Sequence, residues 1–343
     1  MTHFFLDYGI FLAKTATLVV AIVVVIGSLA SLIRSARGHA QDRLEIKSLN
    51  HRFEEMADIL NDELLTEHEL KQQKKKRHAE EKARTKALKH GQSPRPRIFT
   101  LDFDGDLHAT AVDTLREEIS AVLQVARKQD EVLLRLESEG GLVHSYGLAA
   151  SQLTRIRDRD FRLVIAVDKV AASGGYLMAC VADKIIAAPF AVLGSIGVVA
   201  QIPNFNRLLK KHEVDLELHT AGQYKRTLTL FGENTDVGRA KFQEELEDTH
   251  VLFKAFVNEN RPGMEMDKIA TGEHWFGTRA LALRLVDEIK TSDDYLLDRS
   301  KDADIYHVTY RERQSLSDRL SRGLVKLGLG LRGGVEKALS RPV

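Results

Sequence analysis

Beyond residue 98 the chain alternates short apolar runs with longer stretches whose apolar residues recur every three or four positions. Residues 98–103, 132–136, 161–167 and 184–188 read as strands, and 109–127 and 145–156 as helices. A short helix over 174–181 separates the last two strands. Repeated strand–helix units predict an α/β fold with a mostly parallel sheet. About 200 residues are enough for one domain with a sizeable core. A later amphipathic stretch, 237–258, is long enough to pack between subunits. The uncharged run from Ile185 to Ile202 is broken by Pro189, Gly194 and Gly197, so it reads as buried strands and not as a membrane helix.

The pattern before residue 98 is different. From Thr15 to Ile33 the chain is apolar or small, and these residues as a helix would span about 29 Å, the thickness of a hydrocarbon core. No Ala-x-Ala cleavage site follows, so 15–33 is expected to be an uncleaved transmembrane anchor behind a 1–14 flank. Arg34, Arg37, Arg43, Lys47 and Arg52 follow it, and the positive-inside tendency puts the rest of the chain on the cytoplasmic side. Residues 34–97 read as a charged helical stalk and linker. Leu44, Leu49, Phe53, Met56, Leu60 and Leu64 form its ragged apolar stripe, and Pro94 and Pro96 close it. The main domain is expected over 98–310, with a basic tail over 311–343.

Composition excludes more than it suggests. The 343 residues carry 50 Lys and Arg against 49 Asp and Glu, which gives no pull toward nucleic acid. The Lys74–Arg77 run is followed by Glu80 and Glu81 and lacks aromatics, so it reads as solvated spacer. A single cysteine, Cys180, excludes an internal disulfide and reads as a small buried residue. There is no His-Glu-x-x-His and no phosphate-binding glycine fingerprint, so neither metal, cofactor nor ATP is expected.

The candidate chemistry sits at Ala171-Ala172-Ser173-Gly174-Gly175-Tyr176, a small-residue turn between a strand and a helix. There a serine hydroxyl can act as a nucleophile, and glycine amides can face the oxyanion it creates. A second strand ends in Ser138-Glu139-Gly140-Gly141, which makes Gly141 and Gly174 the candidate oxyanion donors. A plain turn serine and a plain strand-to-helix loop are the alternatives. No histidine lies between His144 and His212, and no Gly-x-Ser-x-Gly elbow surrounds Ser173. A desolvated lysine is the remaining kind of base. Lys225 follows Gly222 and Tyr224 in a setting that suits one, against the alternative of a solvated surface charge.

Taken in order, Ser138–Gly141, Ala171–Tyr176, Leu193-Gly194-Ser195-Ile196-Gly197-Val198 and Ala221–Lys225 resemble the signal peptide peptidase A family. Trp275-Phe276-Gly277-Thr278 and Leu285-Val286-Asp287 extend the match, which runs over roughly residues 98–290. With the apolar segment and stalk, the chain is most similar to the SohB-type branch. The resemblance implies a ClpP/crotonase-like core and a Ser/Lys dyad of Ser173 and Lys225, with Ser195 orienting the amine. It also implies a homo-oligomer in which a neighbouring subunit can supply the lysine. The expected function is a membrane-anchored, ATP-independent serine endopeptidase of the bacterial inner membrane. It would act on hydrophobic peptides such as signal-peptide remnants or misfolded membrane or envelope proteins. A catalytically silent membrane scaffold and an acyl-CoA enzyme of the same superfold are the rival readings. Two positions depart from the family pattern: Glu139 replaces a proline, which would loosen the oxyanion loop or charge the substrate strand, and Arg284 replaces a glycine.

Overall fold

A computed structural model of the chain describes residues 11–12, 14–23, 43–89 and 93–311. Residues 44–310 form one compact unit. Its sheet has ten strands. They are β1 (Arg43–Ser48), β2 (Arg97–Gly105), β3 (Glu131–Ser138), β4 (Arg162–Val167) and β5 (Val170–Ala172). These are followed by β6 (Lys184–Ala187), β7 (Val192–Gly194), β8 (His274–Phe276), β9 (Glu288–Ile289) and β10 (Asp304–Arg311). The main path runs β1-β10-β2-β3-β4-β6-β9, with parallel pairing from β10 to β9. This is the mostly parallel α/β sheet that the sequence predicts.

The sheet forks where the chemistry is expected. The first residues of β3 pair with β4, and its last, Ser138, pairs with Ala171 of β5. β5 then pairs in parallel with β7, and β7 antiparallel with β8. The residue after β5 is Ser173, so the serine emerges at the fork.

Alternation along each strand fills two cores, because successive side chains point to opposite faces. Phe99, Leu101, Phe103, Val132, Leu134, Leu163 and Ile165 belong to one core. Helices Val112–Val125, Val143–Arg157 and Gly174–Ala179 contribute to it. Ile98, Leu133, Val164 and Ile186 belong to the other, with Leu49, Tyr295 and Leu296. A sheet covered on both faces reads as continuous apolar runs, which is why 161–167 and 184–188 carry little polar alternation. Cys180 lies in the first core, and burial pushes its thiol up to about 12.

The sheet begins earlier than residue 98. Arg43–Ser48 is an edge strand beside β10, although Leu44 reads as part of a stalk helix in the sequence. Its alternating charges hide it from a helical pattern search and also suit an exposed edge. The helix Leu49–Leu64 starts at Ser48, whose Oγ accepts the His51 N–H. Asn50 fastens that start, donating to the carbonyls of Ser300 and Ala303 and accepting the Ile305 N–H. A second helix, Glu67–Lys89, follows.

Part of the 15–33 anchor and nearly all of the 311–343 tail lie outside the described residues. Residues 14–23 are helical, with Leu18, Val19, Val20 and Val23 exposed. Among the described residues, no helix is long and apolar enough to cross a membrane.

Candidate active site

β5 carries the chain through buried Ala171 and Ala172 into Ser173, which has φ 51° and ψ −118°. Positive φ is uncommon for a residue with a Cβ and costs of order 1–3 kcal/mol. The surroundings impose it. The Ser173 N–H donates to the Gly194 carbonyl at 2.8 Å, and its carbonyl accepts the Leu177 N–H at 3.0 Å. The serine is thus pinned between a neighbouring strand and the helix Gly174–Ala179, with its side chain half-buried.

The Ser138–Gly141 loop crosses directly over this turn. A Cβ on Gly140, which has φ +91°, would lie 2.7 Å from the Gly174 nitrogen and 2.8 Å from Ser173 Cβ. One on Gly141 would meet the Leu107 carbonyl at 2.2 Å, and one on Gly174 would meet the Tyr146 ring at 2.4 Å. Glycine is required at each position, because backbone or a packed ring occupies the space of any side chain. The Gly140 N–H is already engaged, donating to Ser138 Oγ at 3.0 Å. The N–H groups of Gly141 and Gly174 make no hydrogen bond to any described residue. Glu139 is exposed, and the loop beside it is held by the Ser138 bond and by the Leu142 N–H to the Leu107 carbonyl.

Ser173, Gly141 and Gly174 line one cavity of about 440 Å³. Its other walls are mainly apolar: Val143, Tyr146, Leu177, Val198, Leu252, Phe253 and Phe256. The structure therefore brings the serine and both candidate donors together at the mouth of an apolar pocket. Leu252 and Phe253 come from the helix Asp236–Asn260.

Ser195 follows Gly194, the residue that accepts from Ser173, and it also has φ 51°. Its N–H donates to the Glu273 carbonyl at 2.7 Å. Lys225 is elsewhere. It is exposed, in a stretch with little regular structure between helix Asn206–Lys211 and helix Asp236–Asn260. It does not line the Ser173 cavity. Within a single chain the dry setting expected for its amine is absent.

Later motifs buttress the serine. Trp275 lies against Gly194, where a Cβ would meet its ring at 2.7 Å. Tyr176 donates its hydroxyl to the Leu285 carbonyl at 3.0 Å, and Asp287 Oδ2 accepts the Ile185 N–H at 2.7 Å. Arg284 occupies a left-handed position at φ 61°, which explains a glycine preference there. Sequence reasoning missed Tyr146 and gave Ser138 no role. Both are buried, and their hydroxyls lie 2.5 Å apart beneath the glycine loop. The paired strand end at Ser138 was the available signal.

Two family profiles match the chain, "Peptidase family S49 N-terminal" over residues 3–153 and "Peptidase family S49" over 155–305. A Haemophilus influenzae protein named "Probable protease SohB" is 53% identical over 329 residues, covering 92% of this chain and 91% of the relative. The chain belongs to peptidase family S49. A protein of the same name from Buchnera aphidicola subsp. Schlechtendalia chinensis is 49% identical over 304 residues, covering 86% of this chain and 99% of that one. A solved membrane-bound stomatin-specific protease with a substrate peptide aligns at TM-score 0.41 and 13% identity, over 68% of this chain and 100% of that one. It is too remote to bear on the site. The two S49 profiles meet inside helix Val143–Arg157, so the site draws Gly141 from one and Ser173 and Gly174 from the other.

Proposed function

We propose that the chain is a serine endopeptidase in which Ser173 is the nucleophile and Lys225 of a second copy is the general base. One observation carries this reading: Ser173 sits in a strained turn with the free amides of Gly141 and Gly174, all lining one apolar cavity. Peptide substrate with an apolar side chain fits that cavity. The Lys225 amine, desolvated on entering it, takes the Ser173 hydroxyl proton as the oxygen attacks the peptide carbonyl. The amides of Gly141 and Gly174 hold the oxyanion, and the protonated lysine returns its proton to the leaving amine. Water then hydrolyses the acyl-enzyme. Ser195, next to Gly194, orients the incoming amine. No nucleotide, metal or other cofactor takes part in this scheme.

Supply of the lysine by a neighbour is supported by its exposure and by its surroundings. Phe205, Leu216, Leu218, Tyr224 and Phe231 are exposed in the same stretch, an apolar surface of the kind that subunit contacts cover. A ClpP/crotonase-like homo-oligomer is the assembly proposed. The exposed apolar side chains of helical residues 14–23 support an N-terminal anchor in the inner membrane, and the basic residues Arg34, Arg37, Arg43, Lys47 and Arg52 that follow support a catalytic domain on the cytoplasmic side. Substrates there are hydrophobic segments such as signal-peptide remnants or misfolded membrane or envelope proteins.

The test is mixing. Ser173→Ala and Lys225→Ala are each inactive as pure oligomers, and subunit exchange between them restores a fraction of peptide cleavage. Full activity of pure Lys225→Ala removes the dyad, and no recovery on verified exchange removes the shared site.

A further inference from the structure

Tyr146 is fully buried on helix Val143–Arg157, with its ring edge-on to Phe103 at 6.4 Å. Its hydroxyl donates to the Asp106 carbonyl at 2.8 Å and contacts Ser138 Oγ at 2.5 Å. A carbonyl can only accept, so the tyrosine proton points to Asp106 and the Ser138 hydroxyl donates to the tyrosine oxygen. Ser138 Oγ in turn accepts the Gly140 N–H at 3.0 Å. The chain runs in one direction, from the Gly140 amide through Ser138 and Tyr146 to Asp106. Its end is fixed, because Asp106 Oδ1 accepts the N–H groups of His108 and Thr110, and Oδ2 accepts the Thr110 hydroxyl.

This chain is built into the catalytic turn. A Cβ on Gly105 would lie 2.5 Å from both the Ser138 and Tyr146 hydroxyls, so that glycine makes room for the pair. The Tyr146 ring lies against Gly174, and Ser138 lies against Gly175. Phenylalanine at 146 would fill the same volume, and a buried hydroxyl is costly unless it is bonded. What the hydroxyls add is direction. They commit the Gly140 amide to Ser138 and leave the next one, that of Gly141, without a described partner beside Gly174.

We propose that Tyr146 and Ser138 are positioning residues for acyl transfer, holding the Gly140–Gly141 loop so that the free amides of Gly141 and Gly174 meet the oxyanion. This rests on the peptidase reading of Ser173. Loss of a single oxyanion donor costs about 10²–10³ in kcat, so a misplaced donor is expected to cost about tenfold to a hundredfold.

The experiment compares full-length wild type, Tyr146→Phe, Ser138→Ala and the double variant in detergent, with Ser173→Ala as control, on a fluorogenic peptide bearing apolar residues. Each single variant is expected to lose about tenfold to a hundredfold in kcat with KM within about twofold, the signature of an interaction made in the transition state. The double variant is expected to be no worse than the worse single, because both break one chain. Wild-type kcat in both singles, losses that multiply in the double, or a change in KM alone would overturn the proposal. If cleavage by wild type survives Ser173→Ala, the peptidase reading itself fails and the positioning role falls with it. If cleavage depends on Ser173 while both singles stay at wild-type rate, only the positioning role fails.

Discussion

Ser173 hangs by its amide from the carbonyl of Gly194, the residue immediately before Ser195, and the two serines share φ 51°. The register that pairs Ala172 with Gly194 makes this a direct coupling between the Ser173 turn and the neighbouring Gly-Ser-Ile-Gly turn. A disturbance at one turn therefore moves the other.

Gly194→Ala tests that coupling. At φ +96° and with the Trp275 ring 2.7 Å from the added carbon, the substitution has no relaxed solution. It is expected to destabilise by about 1–3 kcal/mol and to lower kcat by more than about tenfold, read from thermal melts and peptide cleavage. Unchanged activity would show that the Gly194 carbonyl does not set the serine.

Gly174 and Gly147 both line the cavity and should respond in opposite ways. Gly174→Ala drives a methyl into the Tyr146 ring, whereas a methyl on Gly147 meets nothing within 4 Å. Gly147→Ala, inside helix Val143–Arg157, is expected to raise stability by up to about 1 kcal/mol. Gly174→Ala is expected to abolish serine reactivity. The paired melting curves and cleavage rates check both.

Arg284 holds a left-handed conformation at φ 61°, at a cost of roughly 1–2 kcal/mol for a residue with a Cβ. Arg284→Gly is therefore expected to raise the melting temperature by about 1–3 °C and leave cleavage unchanged. A lower melting temperature would mean that the guanidinium makes a contact outweighing the strain.

Glu118 supplies a pH-dependent term. Burial pushes its carboxyl up from 4.5 to about 7, against the hydrogen bond it accepts from the Tyr310 N–H, and the nearby Asp102 charge adds to the rise. The folded state therefore holds this proton more tightly than the unfolded state. Stability is lost as pH rises from 4.5 through about 7, and none is lost below 4.5. Glu118→Gln is expected to raise the melting temperature at about pH 8 and to change it little at about pH 4. Asp102 has the opposite sign. Burial opposes its ionisation, but hydrogen bonds from His307 and Arg135 hold it at about 2, so its contribution is present above 3.8 and is lost as pH falls toward 2.

The parallel sheet was legible because its central strands are apolar on both faces, and a buried strand of this kind leaves a dense run in the sequence. That Ser173, Gly141 and Gly174 come to one cavity was legible because a tight strand-to-helix turn and a glycine loop each need small residues at fixed local spacing. β1 was not, because an exposed edge strand of alternating charge looks like the stalk that follows it. The Ser138–Tyr146 pair was not, because it joins a strand end to a helix across the Gly105 gap, a contact that no local period encodes. Lys225 marks the limit of reading one chain: its motif is local, and in the structure it is exposed and does not line the Ser173 cavity, so its pairing with Ser173 stays a proposal.

The most direct test of the account is covalent labelling of the detergent-solubilised oligomer with a serine-directed phosphonate, read by intact mass and peptide mapping. The account predicts one adduct per chain, on Ser173, lost in Ser173→Ala and in Lys225→Ala with the oligomer preserved. A wild-type oligomer that takes no label, or an adduct that maps to another serine, would contradict it.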